Sequence, residues 1–170
     1  EISSIYMANC QDISYDDANI YFLINGAVSG IDKVAEKVLD TSAITPVKIG
    51  TGDSTKLLIS DSAYYTTSYD IIDIDNDKNV WYVDNNIIYK YNAVTSTSIA
   101  ALNTSDTITD LKIDYHNNIW CLLTDGSTSR VVKFSPDREK LLSFNIDDTL
   151  SVNLSGVDLT DIKRMELLND

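Results

Sequence analysis

The chain has 170 residues, with 13 Lys and Arg against 26 Asp and Glu and a formal net charge of −13. That charge excludes a binder of nucleic-acid phosphates and docking on an anionic membrane surface. Hydrophobic residues make up 44% of the chain, which excludes a disordered acidic tail, and two cysteines exclude a disulfide scaffold.

The kind of acid points to a class. Of the acids, 22 are Asp and only 4 are Glu, and 14 Asn, 20 Ile and 10 Tyr accompany them. Asp and Asn favour turns, whereas β-branched and aromatic residues fit a pleated surface. The acidity therefore reads as turn chemistry in an all-β chain. The chain opens at Glu1 without an initiator Met, a basic leader or a signal-peptide core. It reads as a fragment of a longer polypeptide or a processed one.

In chain order, the first unit spans about 9–60. It holds Ile13–Phe22, a faint copy of a pattern seen twice downstream, with one extra residue and Tyr21 in the place of Trp. Ile31–Asp40, with Val34, Val38 and Leu39 at helical spacing, predicts a short helix or an irregular strand. Gly50–Lys56 faintly resembles a phosphate loop, but its order is wrong and Asp53 would repel phosphate. Lys56–Ser60 reads as a closing strand, since it echoes Lys140–Phe144.

The second unit, 61–102, carries Ile74-Asp75-Asn76-Asp77-Lys78-Asn79-Val80-Trp81. The third, 103–148, carries Ile113-Asp114-Tyr115-His116-Asn117-Asn118-Ile119-Trp120. Each copy follows an acidic strand and precedes a strand ending in Lys and an aromatic, Lys90-Tyr91 and Lys133-Phe134. Four additional residues separate Trp120 from Lys133, and the polar loop Thr124–Ser129 is where a hairpin tolerates them. Val80–Val83 and Ile119–Leu123 are apolar on both faces, as expected of strands packed between neighbouring layers. Thr160–Lys163, in a stub at 149–170, resembles Thr109–Lys112.

Units of roughly 40–50 residues built as strand–turn–strand–turn–strand–turn–strand have the length of a four-stranded propeller blade. The fold expected is all-β, with antiparallel four-stranded blade-like repeats in a partial β-propeller or propeller-like stack. The whole of 1–170 is one β-rich domain or a fragment of a longer chain. The turn Asp-x-x-x-Asn-(Val/Ile)-Trp with its following Lys-aromatic strand resembles the propeller repeats of two-component-regulator sensor ectodomains. It resembles the NHL-type repeat more loosely. The resemblance covers about 69–145. It implies a propeller fold and a habit of binding ligands or partners, and it transfers no catalytic residue. The family places Gly before the Asn, where this chain has Lys78 and Asn117.

The search for chemistry yields few groups. Asp73, Asp75, Asp77 and Asp84 are spaced like the early ligands and twelfth position of a calcium loop. Lys78 opposes that, and strand alternation explains the spacing without metal, so no metal or cofactor is expected, calcium being the one candidate. His116, the single histidine, falls in a turn. Cys121 reads as a core residue, and its pairing with Cys10 stays open. Asn103-Thr104-Ser105 and Asn153-Leu154-Ser155 are formal glycosylation sequons. Trp81 and Trp120 read as equivalent core residues. If the chain were an enzyme, Asp70, Asp73, Asp110 and Asp114 on opening strands would be the acids to inspect.

The expectation is a non-catalytic structural and interaction module within an oligomeric assembly, with other protein subunits or more chain completing the ring. Low Gly and Pro with much Asn, Ile, Lys and Tyr suggest an AT-rich genome, so the setting expected is a bacteriophage virion, at the tail or its tip. The alternative is an extracellular or cell-surface propeller of a bacterial envelope that binds a glycan or small ligand. A propeller-scaffold lyase or hydrolase ranks below both.

Overall fold

The computed structural model describes residues 9–35, 37–41, 46–50, 56–60, 63–92, 94–146, 164, 165 and 167. Among these residues, all fifteen regular elements are strands. No helix among them is long and apolar enough to cross a membrane. The chain divides into two compact units, 1–70 and 71–170.

In the first unit, β1 (Cys10–Tyr15), β2 (Asn19–Ile24), β3 (Ala27–Asp32) and β4 (Lys37–Leu39) form an antiparallel sheet in chain order. Of the two alternatives for 31–40, a short helix or an irregular strand, the structure has the irregular strand: the end of β3, a turn and β4. Asp32 Oδ1 accepts hydrogen bonds from the backbone N–H groups of Val34 and Ala35, both at 2.8 Å, which closes that turn. Val34 and Val38 are 92% and 75% exposed, so no apolar helical face exists there to bury. A second sheet has β7 (Ala63–Thr67) at its centre, with β5 (Val47–Ile49) parallel on one side and β6 (Lys56–Ser60) antiparallel on the other. Lys56–Ser60 thus does not close the first sheet. Lys37–Leu39 holds that place beside β3.

The second unit contains two antiparallel sheets of four strands, each in chain order. One has β8 (Ile72–Ile74), β9 (Val80–Asp84), β10 (Ile87–Asn92) and β11 (Thr97–Asn103). The other has β12 (Thr107–Ile113), β13 (Ile119–Thr124), β14 (Ser129–Phe134) and β15 (Lys140–Asn145). Asn85 and Asn86 both have positive φ between the paired Asp84 and Ile87, the geometry of a two-residue type I′ hairpin. Asn25-Gly26 does the same between Ile24 and Ala27. In the last sheet Asp125–Thr128 separates the paired Thr124 and Ser129. The additional residues seen in the sequence are shared between this wider loop and the strands beside it.

The core of this unit lies between the two sheets. Trp81 and Ile88 from one sheet meet Leu111, Ile119, Cys121, Leu123 and Val132 from the other. β12 packs against both β8 and β9, so the sheets meet most closely at their first strands. β11 and β15 lie at the far edges and are largely exposed. Val80–Tyr82 and Cys121–Leu123 are buried on both faces, as their unbroken apolar sequence requires.

Lys78 and Asn117, at equivalent places in the two repeated turns, have φ of 64° and 62°. A left-handed conformation costs an L-residue with a long side chain roughly 1 kcal/mol or more. Lys78→Gly is accordingly expected to raise stability by about 1 kcal/mol, read as a higher midpoint in urea unfolding at unchanged slope. The same change at Asn117 should gain less, because Asn tolerates this region.

Candidate functional site

The repeated turn builds a closed knot around one carboxylate. Asp75 Oδ1 accepts the backbone N–H of Asp77 at 3.0 Å and of Asn79 at 2.8 Å. Asn79 Nδ2 donates to both oxygens at 3.0 Å, and Trp81 Nε1 donates to Oδ2 at 2.8 Å. Lys90 Nζ completes the set at 3.1 Å from Oδ2. Lys90 stands directly across the hairpin from Trp81, and its ammonium sits 4.8 Å from the ring centroid.

The last sheet repeats this with Asp114. Backbone N–H groups of His116 and Asn118 donate at 2.9 Å, Trp120 Nε1 at 2.9 Å, and Lys133 Nζ lies at 3.0 Å. Lys133 pairs across from Trp120, 4.6 Å from its ring centroid. The two turns are also tied together. Asn117 Oδ1 accepts Asn76 N at 3.0 Å, Asn117 Nδ2 donates to Asp77 Oδ2 at 3.1 Å, and Asn76 Nδ2 donates to the Tyr115 carbonyl.

The first sheet carries a reduced version. Asp16 accepts the N–H groups of Ala18 at 2.9 Å and Asn19 at 2.8 Å, and the Tyr21 hydroxyl at 3.0 Å. Tyr15 pairs with Ile20 where Ile74 pairs with Val80, so this turn is one residue shorter than its sisters rather than longer. Gly30 stands across from Tyr21 in the place of the lysine. An added Cβ there would meet Tyr21 and Leu39 side-chain carbons at 3.0 Å, so the ring lies where a lysine stem would run. Lys33 donates instead to the Asp16 carbonyl.

These contacts set the protonation of the acids. Burial disfavours charge on Asp75 and Asp114, but the bonds from Trp, Asn and Lys outweigh it and hold both below the ordinary carboxylate range. Stability from a depressed carboxylate is present above its unfolded pKa of about 4 and lost as pH falls through the folded value. Asp73 works in the opposite sense, because burial raises its pKa. With two knots against one such group, the melting temperature is expected to fall steeply from about pH 4 downward. Asp114→Asn should flatten that acid limb, and an unchanged limb would contradict the assignment.

A second device recurs on the first strands. Asp12 Oδ2 accepts Leu57 N at 2.9 Å, which joins β1 to β6. Asp73 Oδ2 accepts Ile113 N at 2.7 Å, which joins β8 to β12. Asp110 Oδ2 accepts Met165 N at 2.7 Å. In each case the other oxygen accepts the N–H of the following residue at 2.9 Å. Asp12 and Asp110 both follow a register shift, with Asp12 paired to Leu23 and Asp110 to Leu122. Each carboxylate thus links one sheet's first strand to backbone beyond that sheet. A cleft of about 290 Å³ opens beside the second clasp, lined by Asp73, Asn76, Lys112, Asp114, Tyr115 and Leu167 among others.

The structure does not gather the four calcium-spaced acids. Asp73 clasps Ile113, Asp75 closes its knot, Asp77 accepts Asn117, and Asp84 accepts Asn85 Nδ2 at 3.0 Å. Among the described residues, no three His, Cys, Asp or Glu side chains are grouped to hold a metal. Of the opening-strand acids, Asp70 is exposed, while Asp73 and Asp114 share the cleft and Asp110 holds Met165. His116 is exposed in its turn. Cys10 and Cys121 are both free thiols, and burial pushes Cys121 up to about 12. Trp81 is 3% exposed, whereas Trp120 in the same role is only half-buried. Most of the phosphate-like loop and the sequon at Asn153 lie outside the described residues. Asn103 is exposed at the end of β11.

No protein-family model and no curated protein matches the chain. Solved structures similar to it include a luciferin-regenerating enzyme, at 15% identity and TM-score 0.40, over 75% of this chain and 36% of that one. Another is a quinonprotein alcohol dehydrogenase-like protein from Bacteroides thetaiotaomicron, at 16% identity and TM-score 0.35, over 75% of this chain and 31% of that one. The chain spans about a third of the length of either. Both carry the names of enzymes or enzyme-like proteins, so the expectation that this chain is not an enzyme is withdrawn. At these scores neither activity passes to it.

Proposed function

We propose that the chain is a structural and interaction module, a run of propeller-type blades of the two-component-regulator or NHL-like kind that builds into a larger protein assembly. The observation that supports this is where the repeated residues point. Asp75 and Asp114 are closed on donors from their own turns and hairpins, and Asp12, Asp73 and Asp110 tie sheet to backbone. The repeat therefore serves face-to-face stacking of sheets, and such stacking continues naturally into more protein. The setting proposed is a large particle, with a bacteriophage tail as the version that the composition favours.

Light scattering on the native particle that carries this chain tests the reading. A mass many times 18.9 kDa is expected. A monodisperse particle of the chain's own mass would overturn it. The cleft beside Asp73 favours a second reading, a surface propeller that binds a small polar ligand. A saturable rise in melting temperature with a neutral sugar, abolished by Lys112→Ala, would support that reading instead.

A further inference from the structure

Three hairpin turns join second to third strands in the four-stranded sheets, and they differ in one chemical respect. Asn25-Gly26 joins β2 to β3 and Asn85-Asn86 joins β9 to β10, each with positive φ at both residues. Asp125–Thr128 joins β13 to β14. Of the 14 Asn residues, Asn25 alone is followed by Gly. A glycine carries no side chain to shield its own nitrogen, so that nitrogen reaches a preceding side-chain carbonyl most easily.

The first turn leaves this pair open. Asn25 and Gly26 are both exposed, and a Cβ added at Gly26 would meet nothing within 4 Å. Among the described residues, the turn's one side-chain hydrogen bond runs from the Gly26 N–H to Gln11 Oε1, at 3.0 Å. Gln11 is the additional residue in the register shift between Cys10 and Asp12, and a bulge of this kind re-aims a side chain. The sister turns are held shut. Asn85 Nδ2 donates to Asp84 Oδ1 at 3.0 Å, and the Asn86 side chain is tied to the Thr104 and Asp106 carbonyls and to Ile108 N. Asp125 also precedes a glycine, but it presents a carboxylate, a poor electrophile, and its Oδ1 accepts Ser127 N and Thr128 N, both at 2.9 Å.

We infer that Asn25 is a site of spontaneous covalent modification, deamidating through a cyclic imide to aspartate and isoaspartate, and that Gln11 is the latch that slows it. The Gly26 nitrogen loses its proton to solvent base and bonds to Asn25 Cγ, and the side-chain nitrogen leaves as ammonia. Water then opens the imide. Addition at Cγ gives aspartate with the chain unaltered, whereas addition at the backbone carbonyl gives isoaspartate, with the chain running through Cβ and Cγ. The second product adds a backbone carbon to a two-residue turn that has no place for it, so the pairing of Ile24 with Ala27 is lost. The Gln11 bond opposes the first step, because it stabilises the protonated nitrogen and fixes its direction. No oxidant and no partner is needed, so the site is independent of the assembly reading.

Incubation of the folded chain at mildly alkaline pH, followed by digestion and chromatographic separation of the aspartate and isoaspartate peptides, tests both parts. Asn25 should convert before any other Asn. Gln11→Ala should speed the conversion about fivefold, the worth of one hydrogen bond, and Gln11→Glu, which keeps an acceptor oxygen, should stay slow. In urea, where the turn is gone, all three proteins should convert at one rate, so a rate gap in buffer belongs to the folded turn. Conversion at Asn85 or Asn86 as fast as at Asn25, or none at Asn25 in the folded chain and in Gln11→Ala, would overturn the site. Equal rates for Gln11→Ala and the unaltered chain in buffer would overturn the latch.

Discussion

Replacing Asp75 by alanine is expected to destabilise the protein by about 3–4 kcal/mol, because it leaves several buried donors, the Trp81 indole and the Asn79 amide among them, without their acceptor. The Asp75 side chain is wholly buried, and it answers Trp81, Asn79, the Asp77 N–H and Lys90 together. A chain of this size should lose about 10 °C of melting temperature, at the 2–4 °C per kcal/mol usual for its length. Asp75→Asn keeps one acceptor oxygen and should lose about half as much. Asp114→Ala should cost less than Asp75→Ala, since Asp114 is partly open to water whereas Asp75 is wholly buried, and Trp120 is only half-buried. Thermal unfolding of the three variants side by side checks the order. Equal losses for Asp75→Ala and Asp114→Ala would show that burial is not what separates the two knots.

Leu111→Ala should cost about 3 kcal/mol through a different mechanism, the cavity left in the layer between the two sheets. Leu111 is fully buried on β12 and packs in one cluster with Trp81, Ile88, Ile119 and Cys121. Rigid strands hold its neighbours, so collapse around the gap is limited and a cavity cost adds to the lost burial. Leu141→Ala on the exposed outer strand is the comparison, and it should change stability by less than about 0.5 kcal/mol. Urea denaturation of both variants separates the cavity effect from a general sensitivity of strands to alanine.

Much of the fold is legible in the residues themselves. The pair of turns from Ile74 to Trp81 and from Ile113 to Trp120 lies on matched strand ends, and the apolar runs behind them are the buried second strands. Composition also reads correctly as all-β, because Asp and Asn fill the turns while Ile and Tyr fill the strands. Two local readings are decided by definite causes. For 31–40 the irregular strand holds over the short helix, because β4 pairs with β3 and Val34 and Val38 have no face to pack against. Lys56–Ser60 matches Lys140–Phe144 in residue type, yet its neighbour is set by the hairpin to β7, and residue type alone cannot specify a pairing partner.

The site was legible only in part. Asp, Asn, Trp and Lys all recur in the sequence, and their joint recurrence was the available signal. Their closure into one knot depends on Lys90 and Lys133 standing opposite Trp81 and Trp120, which follows from hairpin register rather than from spacing along the chain. The half-knot at Asp16 was misaligned because its turn is a residue shorter. The aspartate clasps leave no sequence signal at all, since each bonds a backbone N–H that any residue but proline supplies.

Two-dimensional NMR of the two indole N–H groups tests the repeated knot most directly. Both should appear as hydrogen-bonded signals that exchange slowly with solvent, with Asp75→Asn shifting Trp81 alone and Asp114→Asn shifting Trp120 alone. An indole that exchanges freely, or one that ignores the substitution of its own aspartate, would contradict the knot and with it the equivalence of the two sheets.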